Sequence, residues 1–401
     1  MHENVLAGIE KKIGVAGIGS LLADRLSGSE LSSLLLEVYR RKTDRLKPAD
    51  LLAQFRQNRL VQPAPLDMIA LMESSLAVLR FFRERGFLPV ELSPVAALGS
   101  CSVVAAVSQD KVVSAVRGTE IVADATNALA LVIAGRRRCG EEGLIRLSTV
   151  HRHVRTQAFA NPRYLPHFVL GCMVSGGRDT GGYAFECEGL VEHIGSYIDL
   201  LREVYGVGRE PRDTRLDHNR ALAKVATEEG RVEAGPTKAS DTTERSEGCE
   251  RGLAGGKGEV LALPEMRYFP GNAFPAYIRL VLKRRGGYEG ALMERERGDD
   301  GGRGGDDGAL VDRVEGALRA HLGGVAGGRE VVIEREDVPA ANEYYKGLQF
   351  KLYITVNGVE WEIADGGFVD WTQRMLENRK ERLLISGFGL ELLFKMQNGL
   401  L

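Results

Sequence analysis

No Cys-x-x-Cys pair occurs in the 401 residues, and the five cysteines, Cys101, Cys139, Cys172, Cys187 and Cys249, are scattered and odd in number. That argues against a zinc ribbon or a disulfide framework and fits a reducing cytoplasm. Neither sign of charge is in excess: 53 Lys and Arg against 55 Asp and Glu leave a net charge of −2. The basic footprint of a general nucleic-acid binder is therefore missing. No uncharged apolar run approaches the roughly 20 residues of a membrane span. The opening MHENVLAGIEKKIGVAGIGS is too weakly apolar, and too charged within, for a signal peptide. A cytoplasmic protein that does not enter a membrane is expected. There is no G-x-S-x-G nucleophile elbow. GLAGGKG (252–258) lacks the glycine spacing and the Ser or Thr after lysine of a P-loop. Aromatic residues are absent from Gly206 to Gly258, a stretch too poor in apolar surface to order itself.

A hydrophobic content of 44% is enough for a core. Residues 1–60 read as a helical extension, with Pro48 opening one of its helices. The stretch 61–205 reads as the first part of a core. DMIALMESSLAVLRFFRER is an amphipathic helix stopped by Gly86, and FLPVELSPV alternates like a strand up to Pro94. SVVAAVSQDKVVSAV reads as a hairpin and DATNALALVIAGRRR as a helix. LIRLSTVHRHVRTQ and HFVLGCMVSGG read as two strands, and LVEHIGSYIDLLREVY as a helix. Residues 206–342 read as an insertion with two flexible tracts, 206–258 and 298–308. Between these tracts, EVLALPEMRYFPG suggests a strand and AYIRLVLKRRGG a helix. Residues 343–401 complete the core: a hairpin with Asn357-Gly358 as its turn, a helix over VDWTQRMLENRKERL, then strand, glycine turn and helix in LLISGFGLELLFKM. Hairpins and adjacent strands imply an α+β fold, a largely antiparallel sheet flanked by helices.

His151 and His153 share one face of a strand, with His167 on its neighbour. No carboxylate or cysteine stands at metal-ligand spacing beside them, so they are read as lining a polar face and no metal site is expected. Cys101 has no assignable base and is read as structural.

Three separated segments carry a resemblance to class II aminoacyl-tRNA synthetases. FFRERGFLPVELSPV resembles motif 1, a long helix followed by Gly-Phe, a strand and a proline. HRHVRTQ, a loop and HFVLG resemble motif 2, and SGFGLELL resembles motif 3. NEYYKGLQFKLY and ADGGFVDW narrow the resemblance to histidyl-tRNA synthetase and its paralogues, whose double tyrosine and glycine-glycine turn they match. VRGTEIVADATNALAL sits where that family has an Arg-Pro-Glu-x-Thr strand end and a helix.

The resemblance implies a class II synthetase-like fold and, if the site is active, ATP with Mg as cofactor. Arg155 matches the motif 2 arginine that holds the α-phosphate and the amino-acid carboxylate, and is the expected catalytic residue. Gln157 stands where the family has glutamate, Phe168 matches the ring that stacks on adenine, and Gly387 and Gly389 let the backbone pass beside the nucleotide. Arg117, Thr119, Glu120, Tyr344 and Tyr345 fall to the substrate pocket, and alternation along a strand would let only one of the tyrosines face it. Glu120 and Asp124, one helical turn apart, either read an amino group or are acids favoured by the helix dipole. The departures bear on activity. The motif 3 arginine is Leu392 here, the arginine before the double tyrosine is Ala340, the histidine-reading glutamine is Leu170, and the arginine of the glycine-glycine turn is Phe368.

With two phosphate cations replaced and no anticodon-binding domain after motif 3, tRNA charging is not expected. The expectation is a catalytically degenerate, histidyl-tRNA-synthetase-like protein that binds an amino acid or nucleotide and regulates an enzyme partner. The regulatory subunit of ATP phosphoribosyltransferase is the family precedent. The alternatives are an ATP-dependent ligase forming an acyl-adenylate, and a ligand-free dimeric scaffold. A homodimer is implied by the motif 1 resemblance.

Overall fold

A computed structural model describes residues 2–157, 164–207, 276–285, 307–323, 331–338 and 344–401. The expected flexible tracts lie almost wholly outside the described residues, as do GLAGGKG, EVLALPEMRYFPG and Ala340.

The chain opens with four helices, α1 (His2–Ile13), α2 (Ile18–Arg25), α3 (Gly28–Thr43) and α4 (Pro48–Gln57). Ser27 and Glu30 form a capping box at the start of α3, and Pro48 stands in the first turn of α4. None of α2, α3 and α4 buries a residue. Helix α5 (Met68–Glu84) begins where the Asp67 side chain accepts from the amides of Ile69 and Ala70. It buries Ala70, Leu71, Ser74, Val78, Phe81 and Phe82, and Gly86 ends it with φ 83°.

The main sheet has eight strands. They are β1 (Leu88–Pro89), β5 (Ile145–Val154), β6 (His167–Arg178), β7 (Ala276–Arg285), β8 (Val332–Val338), β9 (Lys346–Val356), β10 (Val359–Val369) and β11 (Glu381–Phe388). Their order is β1-β5-β6-β11-β10-β9-β7-β8. The interior pairings are antiparallel, as expected, while β1 and β8 run parallel to their neighbours at the two edges. Strands β2 (Val95–Ala97), β3 (Ser114–Ala115) and β4 (Thr119–Ile121) form a separate small sheet. Helices α5, α7 (Ala184–Glu203), α8 (Asp307–Gly323) and α10 (Leu390–Gln397) cover one face, where Phe82, Tyr197, Phe350 and Phe388 form the aromatic centre of the larger core. Helices α6 (Ala125–Arg138) and α9 (Trp371–Leu376) cover the other face with Leu129, Ile133, Val174, Trp371 and Ile385.

Four segments differ from expectation. AYIRLVLKRR is strand β7, not a helix: Ile278, Leu280 and Leu282 alternate into the core while Tyr277, Arg279 and Lys283 take the other face, a period of two. β7 pairs with β9, so part of the stretch read as an insertion belongs to the main sheet. SVVAAVSQDKVVSAV forms no hairpin. The buried Glu120 carboxylate accepts from the amides of Gly99 and Cys101 and from the Gln109 side chain, winding residues 99–109 around itself. The strand expected up to Pro94 shrinks to β1, because Pro89 and Pro94 have no amide to donate to a ladder. The helix expected through Leu383 ends at Leu376, where Glu377 turns left-handed with φ 52°, and residues from Glu381 onward are strand.

Candidate functional site

A cavity of about 660 Å³ opens over the sheet where β6, β9, β10 and β11 meet the start of α6. Arg155, Gln157, Phe168, Tyr344, Tyr345, Gly387 and Gly389 all line it, drawn together from 235 positions of sequence by the pairing of β5, β6 and β11. Arg117, Thr119 and Glu120 do not. Arg117 is exposed and turns left-handed with φ 68°, and its amide donates to Ser32. The Thr119 hydroxyl donates to the Val116 carbonyl, and Glu120 serves the loop described above.

Arg155 follows the end of β5. Its Nε donates to the Ala123 carbonyl at 2.9 Å, its guanidinium lies 4.0 Å from Asp124, and its charge sits 5.4 Å from the centre of the Phe168 ring. Asp124 caps α6, accepting at Oδ1 from the Thr126 amide and hydroxyl. Its Oδ2 accepts from the Tyr344 hydroxyl at 3.2 Å. Tyr345 donates to Asp365 Oδ2 at 2.8 Å. The tyrosine rings are perpendicular with centroids 4.8 Å apart, and Trp371 stands edge-on behind Tyr344. Both tyrosines face the cavity, in place of the one expected, because they precede β9 and escape its alternation. Gly367 makes this possible: a Cβ there would fall 2.7 Å from the Tyr345 ring.

Burial pushes Asp365 up to about 6, with the charges of Glu362 and Asp124 adding to the rise against the Tyr345 hydrogen bond. Burial likewise raises both tyrosine hydroxyls well above their ordinary value, with Asp124 and Asp365 contributing. Each hydroxyl is therefore a neutral donor. Burial also carries the Cys101 thiol up to about 11, so Cys101, held by Asn127 at 3.2 Å, is no thiolate nucleophile.

Sequence reasoning missed six charged residues of the lining: Lys111, Lys351, Glu362, Asp365, Glu391 and Lys395. Lys351 and Glu362 pair across β9 and β10 at 2.7 Å. Leu392, in the place of the motif 3 arginine, packs its Cβ 3.0 Å from where a Gly389 side chain would begin. One turn further along α10, Lys395 reaches the cavity and pairs with the buried Glu391 at 2.8 Å. The cavity is thus not stripped of positive charge, contrary to the expectation from Leu392. Leu170 lines the cavity, whereas Phe368 points into the opposite core against Phe185.

The His151 and His153 rings stand edge-on with centroids 5.6 Å apart, as their shared strand face implies. His153 is buried and accepts from the Ala125 amide at 2.8 Å, and burial lowers it to about 3. His167 bonds the Gln62 carbonyl and Arg152. Among the described residues no group of three or more His, Cys, Asp or Glu side chains is placed to hold a metal ion. No described helix is long and apolar enough to cross a membrane.

No protein-family model matches the chain, and no curated protein matches it. It is similar to a solved ATP phosphoribosyltransferase regulatory subunit/histidyl-tRNA synthetase from Bacillus halodurans, at 14% identity and TM-score 0.44, over 82% of this chain and 80% of that one. It is also similar to the apo histidyl-tRNA synthetase of S. aureus, at 10% identity and TM-score 0.48, over 86% of this chain and 74% of that one. A histidine–tRNA ligase subunit from Alicyclobacillus acidocaldarius shares 14% identity at TM-score 0.41, over 84% of this chain and 97% of that one. The likeness is one of fold.

Proposed function

We propose that the chain is a histidyl-tRNA-synthetase-like protein that binds a small ligand in this cavity and serves a regulatory role without activating an amino acid. The observation that carries this reading is the charge balance of the lining. Four cations, Lys111, Arg155, Lys351 and Lys395, face four acids, Asp124, Glu362, Asp365 and Glu391. Lys351 and Lys395 are held by their own carboxylates, and Arg155 lies beside Asp124. A triphosphate brings about four negative charges and needs a surplus of cations or preorganised donors to stabilise charge during transfer. This lining offers no surplus among the described residues. In a regulatory role the protein acts on a partner enzyme, and the resemblance in sequence names ATP phosphoribosyltransferase for that part.

One observation favours the ligase as a second reading. Arg155, Phe168, Gly387 and Gly389 line the same cavity, in the places where the family holds ATP with Mg. Calorimetry with Mg·ATP and with each amino acid separates the two readings. Binding of a small ligand without ATP supports the regulatory reading, and tight ATP binding supports the ligase.

A homodimer belongs to the same proposal. Met68, Ile69, Met72 and Leu76 form an exposed apolar stripe along α5, and β1 beside it is a sheet edge. Met72→Glu should turn a dimer into a monomer in analytical ultracentrifugation. A wild-type chain that is monomeric at micromolar concentration would contradict the assignment.

A further inference from the structure

The segment 99–112 is held from within. Glu120 accepts from the amides of Gly99 and Cys101 and from the Gln109 side chain, each at 2.9 Å. The amide oxygen of Gln109 in turn accepts from the Ser102 hydroxyl at 2.7 Å. Wound in this way, the segment lends Cys101, Ala105, Val107 and Val112 to the lining of the cavity, and Ala123 joins them. Cys101, Val112 and Ala123 form an apolar cluster of their own with Val107 against it, and all of these line the cavity. No side chain among them is larger than valine, so the wall is apolar without filling the space before it. Its main-chain groups are spent inside the protein. The Cys101 amide donates to Glu120, the Val107 amide to the Cys101 carbonyl and the Val112 amide to the Gln109 carbonyl, while the Ala123 carbonyl accepts from Arg155. The Asn127 side chain donates to the Cys101 sulfur at 3.2 Å, and burial keeps that thiol protonated. Asp110 and Lys111, the charged residues of the segment, are exposed. The paired charges of the lining stand on other elements, Lys351 and Glu362 on β9 and β10, Glu391 and Lys395 on α10. A polar group set against this wall gives up its water and gains no partner, whereas each methylene that covers it tightens binding about fourfold.

We propose that the cavity holds an aliphatic part of its ligand against the wall of Cys101, Ala105, Val107, Val112 and Ala123, and selects for it over a polar group of the same shape. This rests on the reading of the cavity as a small-ligand site and names what the ligand carries. Ala105 also packs with Leu170, Cys172 and Ile385, which extend the apolar lining. The 99–112 segment is thereby the part of the protein that sets specificity.

The test is calorimetry on the full chain at neutral pH with pairs of probes alike in shape and opposite in polarity. Leucine is set against asparagine, valine against threonine, and isovalerate against malonamate, and AMP is included. At least one aliphatic probe should bind, with its polar counterpart weaker by about tenfold or more, the cost of stripping water from a polar group left without a partner. Val107→Thr, which keeps the shape and adds a hydroxyl, should cut that preference about fivefold. A folded variant that keeps the full preference would overturn the assignment, and the wild-type comparison stands even if the variant fails to fold. Polar probes binding as well as the aliphatic ones, or AMP binding alone, would overturn the apolar seat and leave the small-ligand reading intact. If no probe binds, both fall.

Discussion

A methyl group built on Gly387 would meet only the Cys172 sulfur at 3.7 Å and the Gly171 carbonyl at 3.8 Å, ordinary van der Waals contact. Nothing in the protein demands glycine there, and the open space belongs to the cavity. Gly389 is different: its Cβ would press on Leu392 Cβ at 3.0 Å, and the residue caps α10. Gly387→Ala should leave stability unchanged, or raise it by up to about 1 kcal/mol, while weakening ligand binding. Gly389→Ala should cost about 1 kcal/mol or more through crowding. Urea unfolding of both variants, with calorimetry on Gly387→Ala, checks the pair, and equal losses of stability would contradict the distinction. The glycine pair and the double tyrosine were legible in the sequence because their spacing is a local pattern. Asp365 was not, since an acid before two glycines in a strand looks like a turn residue, and only the sheet register brings it beneath Tyr345. Lys395 was hidden by its own pairing. Glu391 and Lys395 at i, i+4 read as a solvated helix pair, whereas both are buried.

Glu377 closes α9 in the left-handed conformation, with φ 52° and ψ 32°. That conformation costs a non-glycine residue roughly 1–2 kcal/mol, and the greater freedom of an unfolded glycine offsets part of the gain on replacement. Glu377→Gly should therefore stabilise the protein by about 0.5 kcal/mol. Gly358→Ala, at φ 77° in the β9–β10 turn, should destabilise it by about 1 kcal/mol. Chemical denaturation gives both signs, and a loss of stability in Glu377→Gly would contradict the first. Elements marked by caps and turn pairs were readable in advance: α5 after Asp67, α6 after Asp124, and the hairpin at Asn357-Gly358. Those shaped by distant partners were not. The 99–109 loop is ordered by a carboxylate 11 to 21 residues away. β7 buries Val281 on its second face, and the unbroken run Leu280-Val281-Leu282 fits a helix as well as a strand, so its pairing with β8 and β9 was not readable.

Across the whole molecule, the cavity draws its lining from both clusters, Val169, Ile363 and Phe388 from the larger core and Leu170, Cys172 and Ile385 from the other. Within the larger core, buried His193 bridges Ser175 and Ser386 at 2.8 Å each, with Tyr197 on Ser386 at 2.9 Å. Burial lowers His193 to about 3, so the folded state binds it neutral. Its contribution to stability is full above the ordinary histidine value of 6.5 and is lost as pH falls from there toward about 3. Each pH unit in that window can remove up to about 1.4 kcal/mol. The excess stability of wild type over His193→Gln should shrink steadily from pH 6.5 downward in urea titrations, and a constant difference would contradict this account. Asp365 acts in the opposite sense, since its raised value favours the fold below its unfolded value and the advantage is lost as pH rises through about 6. Comparing each variant with wild type keeps the two apart. The antiparallel sheet and the gathering of motifs from both ends of the chain were visible in the sequence. The charge balance of the cavity was not, because it depends on which of many charged residues turn inward.

ATP–pyrophosphate exchange with all twenty amino acids tests the central claim most directly, because exchange requires the phosphate chemistry that a charge-balanced lining does not support. The account predicts no exchange above background with any amino acid, by a protein that still binds a small ligand. Exchange that depends on one amino acid and is abolished by Arg155→Ala would contradict it.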